Sequence, residues 1–362
     1  MISLDGSFGE GGGALVRTAL ALSTITGQEF KVTNIRAGRP TPGLKAQHLQ
    51  AIQALQQICS AKTNPVDIGT TELHYIPGKV KAGIYHIDIG TAGSISLLLQ
   101  AIMIPCFFAP GKVTLNITGG TCGKWQAPVE YLQNVFQPYV KRFVERMEVR
   151  VLKRGYFPVG GGKVQVEIWP SLKSSDPEEI LLFCKSLSRL ELESPGALQQ
   201  IRGIVNVSTD LQPQKVGERI KLAAESKLKE TNVPATIRVE YSETKSTGGE
   251  IVLWAVFKTG EDANNFIGSD ALVERGKKSE AIGIEAAEKL LEELHSGMAV
   301  DPYLADQLVP LMGLLPGSRV TTRKVSDHCI TNIYVTEHFL PVGFKVGKTI
   351  ITSHEADDAV KG

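Results

Sequence analysis

The chain has 362 residues, a formal net charge of +1 and a hydrophobic content of 42%. No apolar run approaches the ~18 residues of a membrane span, and no basic segment precedes an apolar one near Met1, so the sequence predicts neither a membrane protein nor a secretory signal. Five scattered cysteines without a CxxC pair argue against a zinc ribbon or a disulfide framework. These features together predict a cytoplasmic protein.

The first part of the chain alternates strands and helices around glycine-rich turns. After a short strand, residues 6–13 lead into a helix with apolar residues at helical spacing, which Gly27 closes. Residues 29–35 alternate as a strand, and a Pro/Gly loop over 36–43 precedes a second helix over 44–59.

The same order of helix, glycine and strand returns twice. It recurs over 95–117, after a glycine turn at 88–94, and again over 303–324. Between these copies the pattern predicts a helix over 129–146 and strands over 148–153 and 163–169. Recurrence at this scale indicates one supersecondary unit used several times, with each copy burying its apolar face on its neighbours.

The long gap before the third copy predicts an inserted domain. A polar linker over 173–179 precedes strands near 201–208, 236–241 and 251–257, with an amphipathic helix over 216–229. We therefore predict an α/β (α+β) fold with three repeats of two helices on a small sheet. The predicted ranges are 1–180 and 261–362 for the repeats and 181–260 for the insertion.

Two loops have the composition of anion sites. Glycines 9 and 11–13 open a helix that carries Arg17, while Glu10 between them could hold a divalent cation. Arg36 and Arg39 lie in the next Pro/Gly loop, and the guanidinium fork suits phosphate. The alternatives are a tight strand-to-helix turn and an ordinary polar helix start.

Three further segments stand out. Tyr303 shares a helix face with Asp306 and Gln307 and could stack a base, although Asp301-Pro302 also fits an ordinary helix start. Residues 154–164 carry three successive glycines, for which a structural turn is the favoured interpretation. His328 follows a strand-like segment and is expected near a strand end or in a strand-to-strand turn, where a neutral imidazole is a good nucleophile; a histidine taken alone is more often a surface or structural residue.

These segments together resemble the RNA 3′-terminal phosphate cyclase family. The resemblance rests on the glycine-rich N-terminus, the 36–44 loop, the 154–164 segment, the 303–307 segment and His328 with 331–333, all in the right order over nearly the whole chain. It implies repeats around a pseudo-threefold axis with a small inserted α/β domain, and an ATP-dependent enzyme whose substrate is RNA with a 3′-terminal phosphate.

The implied reaction is a three-step conversion of that phosphate to a 2′,3′-cyclic phosphate. A histidine forms a covalent histidine-AMP, AMP passes to the RNA 3′-phosphate, and the ribose 2′-hydroxyl then displaces AMP. The order suits the chemistry, because oxide cannot leave phosphate whereas AMP can. The resemblance implies ATP and a divalent metal, Mg or Mn, as cofactors, and leaves an oligomer open.

The resemblance also assigns roles to individual residues. His328 is the implied nucleophile and Glu10 the implied metal ligand. Nine positions are implied around the nucleotide and its phosphates: Arg17, Arg36, Arg39, Gln47, Gln100, Pro128, Tyr303, Asp306 and Gln307. Among these, Tyr303 and Pro128 would sandwich the adenine. Asp327 is expected to face away from His328, as adjacent strand residues do.

Two other functions are compatible with such a chain. A non-catalytic relative could bind RNA or ribosome-assembly partners, but it should lack the nucleophile. An enolpyruvyl transferase has a related repeat architecture, but it leaves His328 and the 303–307 segment without a role. Covalent labelling by ATP separates the first from the enzyme, and phosphate release from phosphoenolpyruvate tests the second.

Overall fold

The protein consists of small sheets covered by helices. The structure, a computed structural model, describes residues 1–124, 126–260 and 264–356. In chain order the strands are β1 (Ile2–Asp5), β2 (Phe30–Thr33), β3 (Lys62–Thr63), β4 (Leu73–Ile76), β5 (Gly83–Asp88), β6 (Val113–Gly119), β7 (Val144–Lys153), β8 (Gly162–Pro170), β9 (Glu191–Leu192), β10 (Ala197–Ser208), β11 (Ala235–Ser242), β12 (Gly249–Lys258), β13 (Asn264–Leu272), β14 (Arg319–Thr321), β15 (Val342–Val346) and β16 (Ile350–Glu355).

Helices connect the strands in a recurring order. They are α1 (Ala14–Thr26), α2 (Ala46–Cys59), α3 (Ile95–Cys106), α4 (Val129–Tyr131), α5 (Gln137–Val140), α6 (Pro177–Ser186), α7 (Val216–Leu228), α8 (Ser279–Ser296), α9 (Pro302–Leu314) and α10 (Asp327–Phe339). A π-helical turn, Leu132–Phe136, joins α4 to α5, and we call this continuous stretch the 129–140 segment. None of the described helices combines the length and the apolar character needed to span a bilayer.

Three of the sheets have one topology. Their strand orders are β1-β2-β4-β3, β5-β6-β8-β7 and β9-β14-β16-β15. In each sheet the first pair is parallel and the other two pairs are antiparallel. Because a parallel pair needs a crossover, a helix (α1, α3 or α9) precedes the second strand of each unit. The predicted α+β fold with repeated units is confirmed.

The insertion interrupts the third repeat between β9 and α9. Its sheet has the order β11-β10-β12-β13, and α7 and α8 cover one face around a separate apolar core. Its other face, including Val252 and Trp254, joins the main core. The predicted range of 181–260 contains α7 and three of these strands, whereas β13 and α8 lie beyond its end.

Two element boundaries differ from the sequence prediction. The helix predicted over 129–146 ends at Val140, and β7 begins at Val144, because valines 144, 149 and 151 favour a strand. The predicted linker over 173–179 contains the start of α6. There the Asp176 side chain accepts hydrogen bonds from the backbone N–H groups of Glu178 and Glu179, and Pro177 takes the first helical position.

A buried ion cluster attaches the insertion to the second repeat. Arg154, just after β7, pairs with Glu130 of α4 and lies 3.6 Å from Oε1 of Glu250 on β12. Asn206 of β10 donates a hydrogen bond of 2.8 Å to Glu250, which is fully buried. One guanidinium thus faces two buried carboxylates. Burial raises the pKa of Glu250 to about 7, and the charge of Glu130 adds to this effect.

Glu250→Gln is expected to stabilise the protein above neutral pH and not below pH 5. A carboxyl whose folded pKa exceeds its unfolded value costs stability as pH rises through the interval from 4.5 to about 7. Removing that charge should raise the free energy of unfolding by about 1–3 kcal/mol at pH 8. Denaturant unfolding at pH 5 and pH 8 checks this, and an equal effect at both values would contradict it.

Candidate active site

One cleft collects side chains from all three repeats. Helix α1 of the first repeat packs on α3 of the second and on α10 of the third, and α9 packs on α10. Six of the predicted site residues line this cleft: Arg17, Gln100, Tyr303, Asp306, Gln307 and His328. The repeats therefore bring together residues that lie more than 300 positions apart in sequence.

The prediction that His328 lies near a strand end is wrong, because the residue is in the first turn of α10. Ser326 caps this helix, with its hydroxyl accepting a 3.0 Å hydrogen bond from the backbone N–H of Cys329. Its buried residues recur at helical spacing and include Cys329, Asn332 and Thr336. The helix start leaves the His328 side chain 43% exposed.

The carboxylate facing His328 belongs to Glu10. Asp327 and His328 both lie on α10, so the alternation of strand side chains, from which Asp327 was expected to face away, does not apply to them. Nδ1 of His328 lies 2.7 Å from Oε1 of Glu10, while Oε2 of Glu10 pairs with Arg39. Both Nδ1 and Oε1 are buried without an aligned hydrogen bond in the described part of the chain. Burial alone would raise the pKa of Glu10, but His328, Arg39 and Arg17 outweigh it and lower the pKa. Glu10 is therefore ionised at neutral pH.

The glycine loop approaches the Glu10 carboxylate closely, which the pairing of Glu10 with His328 and Arg39 requires. A Cβ on Gly12 would lie 2.2 Å from Oε1 of Glu10 and 2.9 Å from Nη2 of Arg39. Any side chain at that position would therefore collide with the carboxylate. The glycine run, for which the sequence left both an anion site and a tight strand-to-helix turn open, here lets Glu10 fold back against its own loop.

Asp306 is fixed by α10. Its carboxylate accepts a 2.5 Å hydrogen bond from the Ser326 hydroxyl, and its backbone carbonyl accepts one of 2.8 Å from the Asn332 amide. Asn332 in turn accepts a 2.8 Å hydrogen bond from Thr18 of α1. Burial raises the pKa of Asp306 to about 7. This chain of contacts ties α1, α9 and α10 together beside the cleft.

Ser326→Ala is expected to destabilise the protein by about 1–2 kcal/mol. The change removes the α10 cap and also leaves the Asp306 carboxylate without its hydroxyl donor. Ser326→Thr keeps the hydroxyl and serves as the matched control. Denaturant unfolding of both variants checks this, and equal stability of the alanine and threonine variants would show that the cap contributes nothing.

Arg17 is a buried cation that Gln100 holds in place. Its Nε donates a 2.9 Å hydrogen bond to Oε1 of Gln100 on α3. Burial lowers the pKa of Arg17 to about 10, with Glu10 opposing and Arg39 and Arg36 adding to the shift. The guanidinium remains charged at neutral pH, inside a region where water cannot screen it fully.

The two arginines of the 36–43 loop have different partners. Arg36 donates hydrogen bonds of 2.7 and 2.9 Å to the carbonyls of Thr41 and Gly43, so it shapes its own loop. Arg39 instead reaches Glu10. Gln47, in the first turn of α2, accepts a 3.3 Å hydrogen bond from the backbone N–H of Ser94 and so links the first repeat to the second.

Tyr303 presents an aromatic ring at the edge of the cleft. The ring is 47% exposed and meets Tyr131 edge to face, with centroids 6.3 Å apart. As the sequence predicted, Asp301 caps α9, and it accepts a 3.0 Å hydrogen bond from the N–H of Leu304. Pro128 is buried at the start of the 129–140 segment, one residue beyond Ala127, which lines the cleft.

Glu10, which faces His328 beside the cleft, is the residue predicted to hold a divalent cation. Its carboxylate is ionised, and carboxylate oxygens are ligands that Mg²⁺ prefers. Across the three described ranges, no group of three or more His, Cys, Asp or Glu side chains is arranged to hold a metal. An ion at Glu10 would thus take most of its oxygens from a phosphorylated substrate and from water, as Mg²⁺ commonly does.

Several cleft residues escaped the sequence analysis as individual candidates. Ser326, Asn332 and Thr18 form the hydrogen-bond chain around Asp306. The available signal was the four-residue spacing between His328 and Asn332, which places both on one helix face only if the segment is a helix. The cleft thus presents a half-exposed imidazole that faces an ionised carboxylate, together with one buried cation and an exposed ring.

Comparison with known proteins gives one consistent match. A family model described as RNA 3′-terminal phosphate cyclase matches residues 8–346. A Methanopyrus kandleri protein named RNA 3′-terminal phosphate cyclase is 41% identical over 352 residues, 96% of this chain and 95% of its own. Proteins of that name from Methanosarcina mazei and Archaeoglobus fulgidus are 42% and 41% identical, cover 96% and 97% of this chain, and match over 97% and 100% of their own lengths.

Proposed function

We propose, since the chain belongs to the RNA 3′-terminal phosphate cyclase family, that it converts an RNA 3′-terminal phosphate to a 2′,3′-cyclic phosphate at the expense of ATP. The proposed path runs through a covalent adenylate on His328 and an adenylated RNA end. The single observation that carries it is the half-exposed His328 imidazole, set against an ionised carboxylate in a cleft lined by Arg17.

The Glu10 carboxylate prepares His328 for attack. An ionised oxygen 2.7 Å from Nδ1 favours the tautomer with the proton on that nitrogen. The lone pair then lies on Nε2, the nitrogen not facing Glu10. A neutral imidazole in this tautomer is the form that can form a bond to phosphorus.

In the first step Nε2 of His328 bonds to the α-phosphorus of ATP, and the bond to the bridging oxygen breaks as pyrophosphate leaves. Arg17 supports this step, because a cation in a partly dry site offsets the charge that develops on the phosphoryl oxygens. A divalent ion bound at Glu10 would supply further charge neutralisation on the polyphosphate. The exposed ring of Tyr303 offers a face on which adenine can stack.

In the second step an oxygen of the RNA 3′-phosphate bonds to the same phosphorus and the imidazole leaves. In the third step the ribose 2′-oxygen bonds to the activated 3′-phosphorus, AMP leaves, and the 2′-hydroxyl proton is released. The net reaction consumes ATP and yields AMP, pyrophosphate and the cyclic phosphate. The bond from His328 to AMP and the bond from AMP to the RNA 3′-phosphate thus make AMP the leaving group in place of oxide.

Incubation with ATP labelled at the α-phosphate tests the proposal. A protein-bound label that is lost in acid, stable in mild base and mapped to His328 is expected. Addition of an RNA oligonucleotide with a 3′-phosphate should then discharge the label and give a phosphatase-resistant end. A 3′-hydroxyl oligonucleotide is the matched control and should discharge nothing.

Two results would contradict the proposal. If no label is retained at any metal concentration, the covalent route has no support. If the label maps elsewhere, His328 is not the nucleophile.

We further propose a reducing, cytoplasmic location, which the five buried free cysteines support.

A further inference from the structure

His48 is a buried histidine that the proposed reaction has not used. It lies in the first turn of α2 and is only 2% exposed. Its Nδ1 accepts a 3.1 Å hydrogen bond from the backbone N–H of Lys45 at the helix N-terminus. A nitrogen that accepts a hydrogen bond carries no proton, so the neutral ring carries its proton on Nε2.

The ring stays neutral at physiological pH. Burial, with the charges of Arg17, Arg36 and Lys45 adding to it, lowers the pKa of His48 to about 3. A second proton would also remove the acceptor that Lys45 uses. The ring is therefore a fixed donor whose direction is set by the α2 cap.

That donor has no acceptor in the structure as described. Nε2 of His48 is buried and finds no hydrogen-bond partner among the described residues. An unsatisfied buried donor costs stability, so such a group calls for an explanation. The explanation must supply an oxygen close to Nε2.

The surroundings of Nε2 favour a negatively charged oxygen as its acceptor. A Cβ placed on Gly13 would lie 2.4 Å from Nε2 of His48 and 3.0 Å from Nη1 of Arg17. The two donor nitrogens thus lie close together beside Gly13, at the N-terminus of the 13-residue helix α1. Since Gly13 has no side chain with which to cap α1, the free N–H groups and dipole of that helix also favour a negative oxygen there.

We infer that His48 binds an oxygen of a substrate phosphoryl group, together with Arg17 and the N-terminus of α1. The inference rests on the proposed function and adds His48 to it as a substrate-binding residue. Two sources share this chemistry: the polyphosphate of ATP and the 3′-phosphate of RNA. A neutral donor suits this place, because a third cation beside Arg17 and Arg39 would repel both.

Two substitutions separate the two nitrogens of His48. His48→Asn puts an acceptor near the position of Nδ1, so the contact with Lys45 can persist while the distal donor is lost. His48→Gln places an amide N–H near the position of Nε2 and weakens the cap. If His48 serves only the α2 cap, His48→Gln should be the more harmful of the two changes. If His48 binds phosphate, His48→Asn should weaken binding more than His48→Gln does.

Equilibrium binding is measured with three probes: ATP, an RNA oligonucleotide with a 3′-phosphate, and the same oligonucleotide with a 3′-hydroxyl. His48→Asn is expected to raise Kd about ten- to a hundredfold for one of the two phosphorylated probes, which identifies the source. His48→Gln should stay within about threefold of the parent, and the 3′-hydroxyl oligonucleotide should bind all three proteins alike.

Unchanged Kd values for both phosphorylated probes in His48→Asn would overturn the inference and leave a buried water as the partner of Nε2. Equal weakening in both variants, with a lowered Tm, would assign His48 to the α2 cap alone. If His48→Asn fails to fold, the Nε2–H resonance of the parent protein is measured instead. Its Nε2–H resonance must then move downfield and gain protection from exchange when one phosphorylated probe binds, and an unmoved resonance refutes the inference.

These measurements do not depend on turnover. A protein that binds the 3′-phosphate through His48 but never forms an adduct with ATP would refute the covalent route and keep this inference. A protein that forms the adduct with unchanged binding in His48→Asn would do the reverse. The two hypotheses can thus fail separately.

Discussion

His328→Ala is expected to form no covalent adduct with ATP and to reduce cyclisation by about five orders of magnitude or more, the size of effect seen when a nucleophile is removed. The physical reason is that the 3′-phosphate cannot be activated without an acceptor for AMP. Nothing else described in the cleft offers a half-exposed nucleophilic nitrogen: the guanidinium of Arg17 is protonated, and His48 is enclosed. Acid-labile labelling and single-turnover cyclisation measure the two effects.

His338→Ala is the matched control for this substitution. It lies on the same helix, ten positions later, and its side chain is exposed. It should retain labelling and cyclisation, and both alanine variants should keep the parent Tm within a few degrees because neither ring is part of the core. Full labelling of His328→Ala would remove the central premise of the proposed function.

The repeated architecture could be predicted because its signal is local. Each copy is marked in the sequence by an apolar helix, a glycine and an alternating strand, such as α1 with β2 and α3 with β6. The helix α8 was missed although the signal was present, since Ile282, Ala286 and Leu290 recur every four residues and are buried.

Helix α10 was misinterpreted for a physical reason. Its sequence is rich in β-branched residues, and Ile330, Thr331 and Val335 favour strands when taken alone. Packing on α1 and α9, together with the Ser326 cap, overrides this preference. The consequence was a wrong local geometry for His328, although its role did not depend on the element that carries it.

The partners within the site could not be predicted from spacing. His328 and Glu10 lie 318 positions apart and meet because α10 and the glycine loop both pack around α1. The resemblance grouped them as members of one family motif set, but it gave no contact between them. The orphan donor of His48 was similarly invisible, since it depends on the position of Gly13 in another element.

Arg154→Met is expected to reduce the free energy of unfolding by about 3–5 kcal/mol at pH 8, which is the usual cost of leaving buried charges unpaired. Arg154 is 7% exposed and is the cation between Glu130 and Glu250, which are 2% and 0% exposed. Without it the two carboxylates would repel each other in a dry environment. Methionine fills a similar volume, so the loss reports mainly on charge and not on a cavity.

Unbalanced buried charge has two further consequences that a packing defect does not have. The destabilisation should shrink as pH falls toward 5, since Glu250, whose pKa burial raises to about 7, can then bind a proton in the folded state. It should also shrink at pH 8 when Glu130→Gln and Glu250→Gln are added, because neutral amides need no cation. Arg150→Met, which removes an exposed arginine on β7 that pairs with Glu148, should cost about 1 kcal/mol or less. If the Arg154→Met loss is the same at pH 5 and pH 8 and survives both glutamine substitutions, the junction is held by shape and not by the balance of its charges.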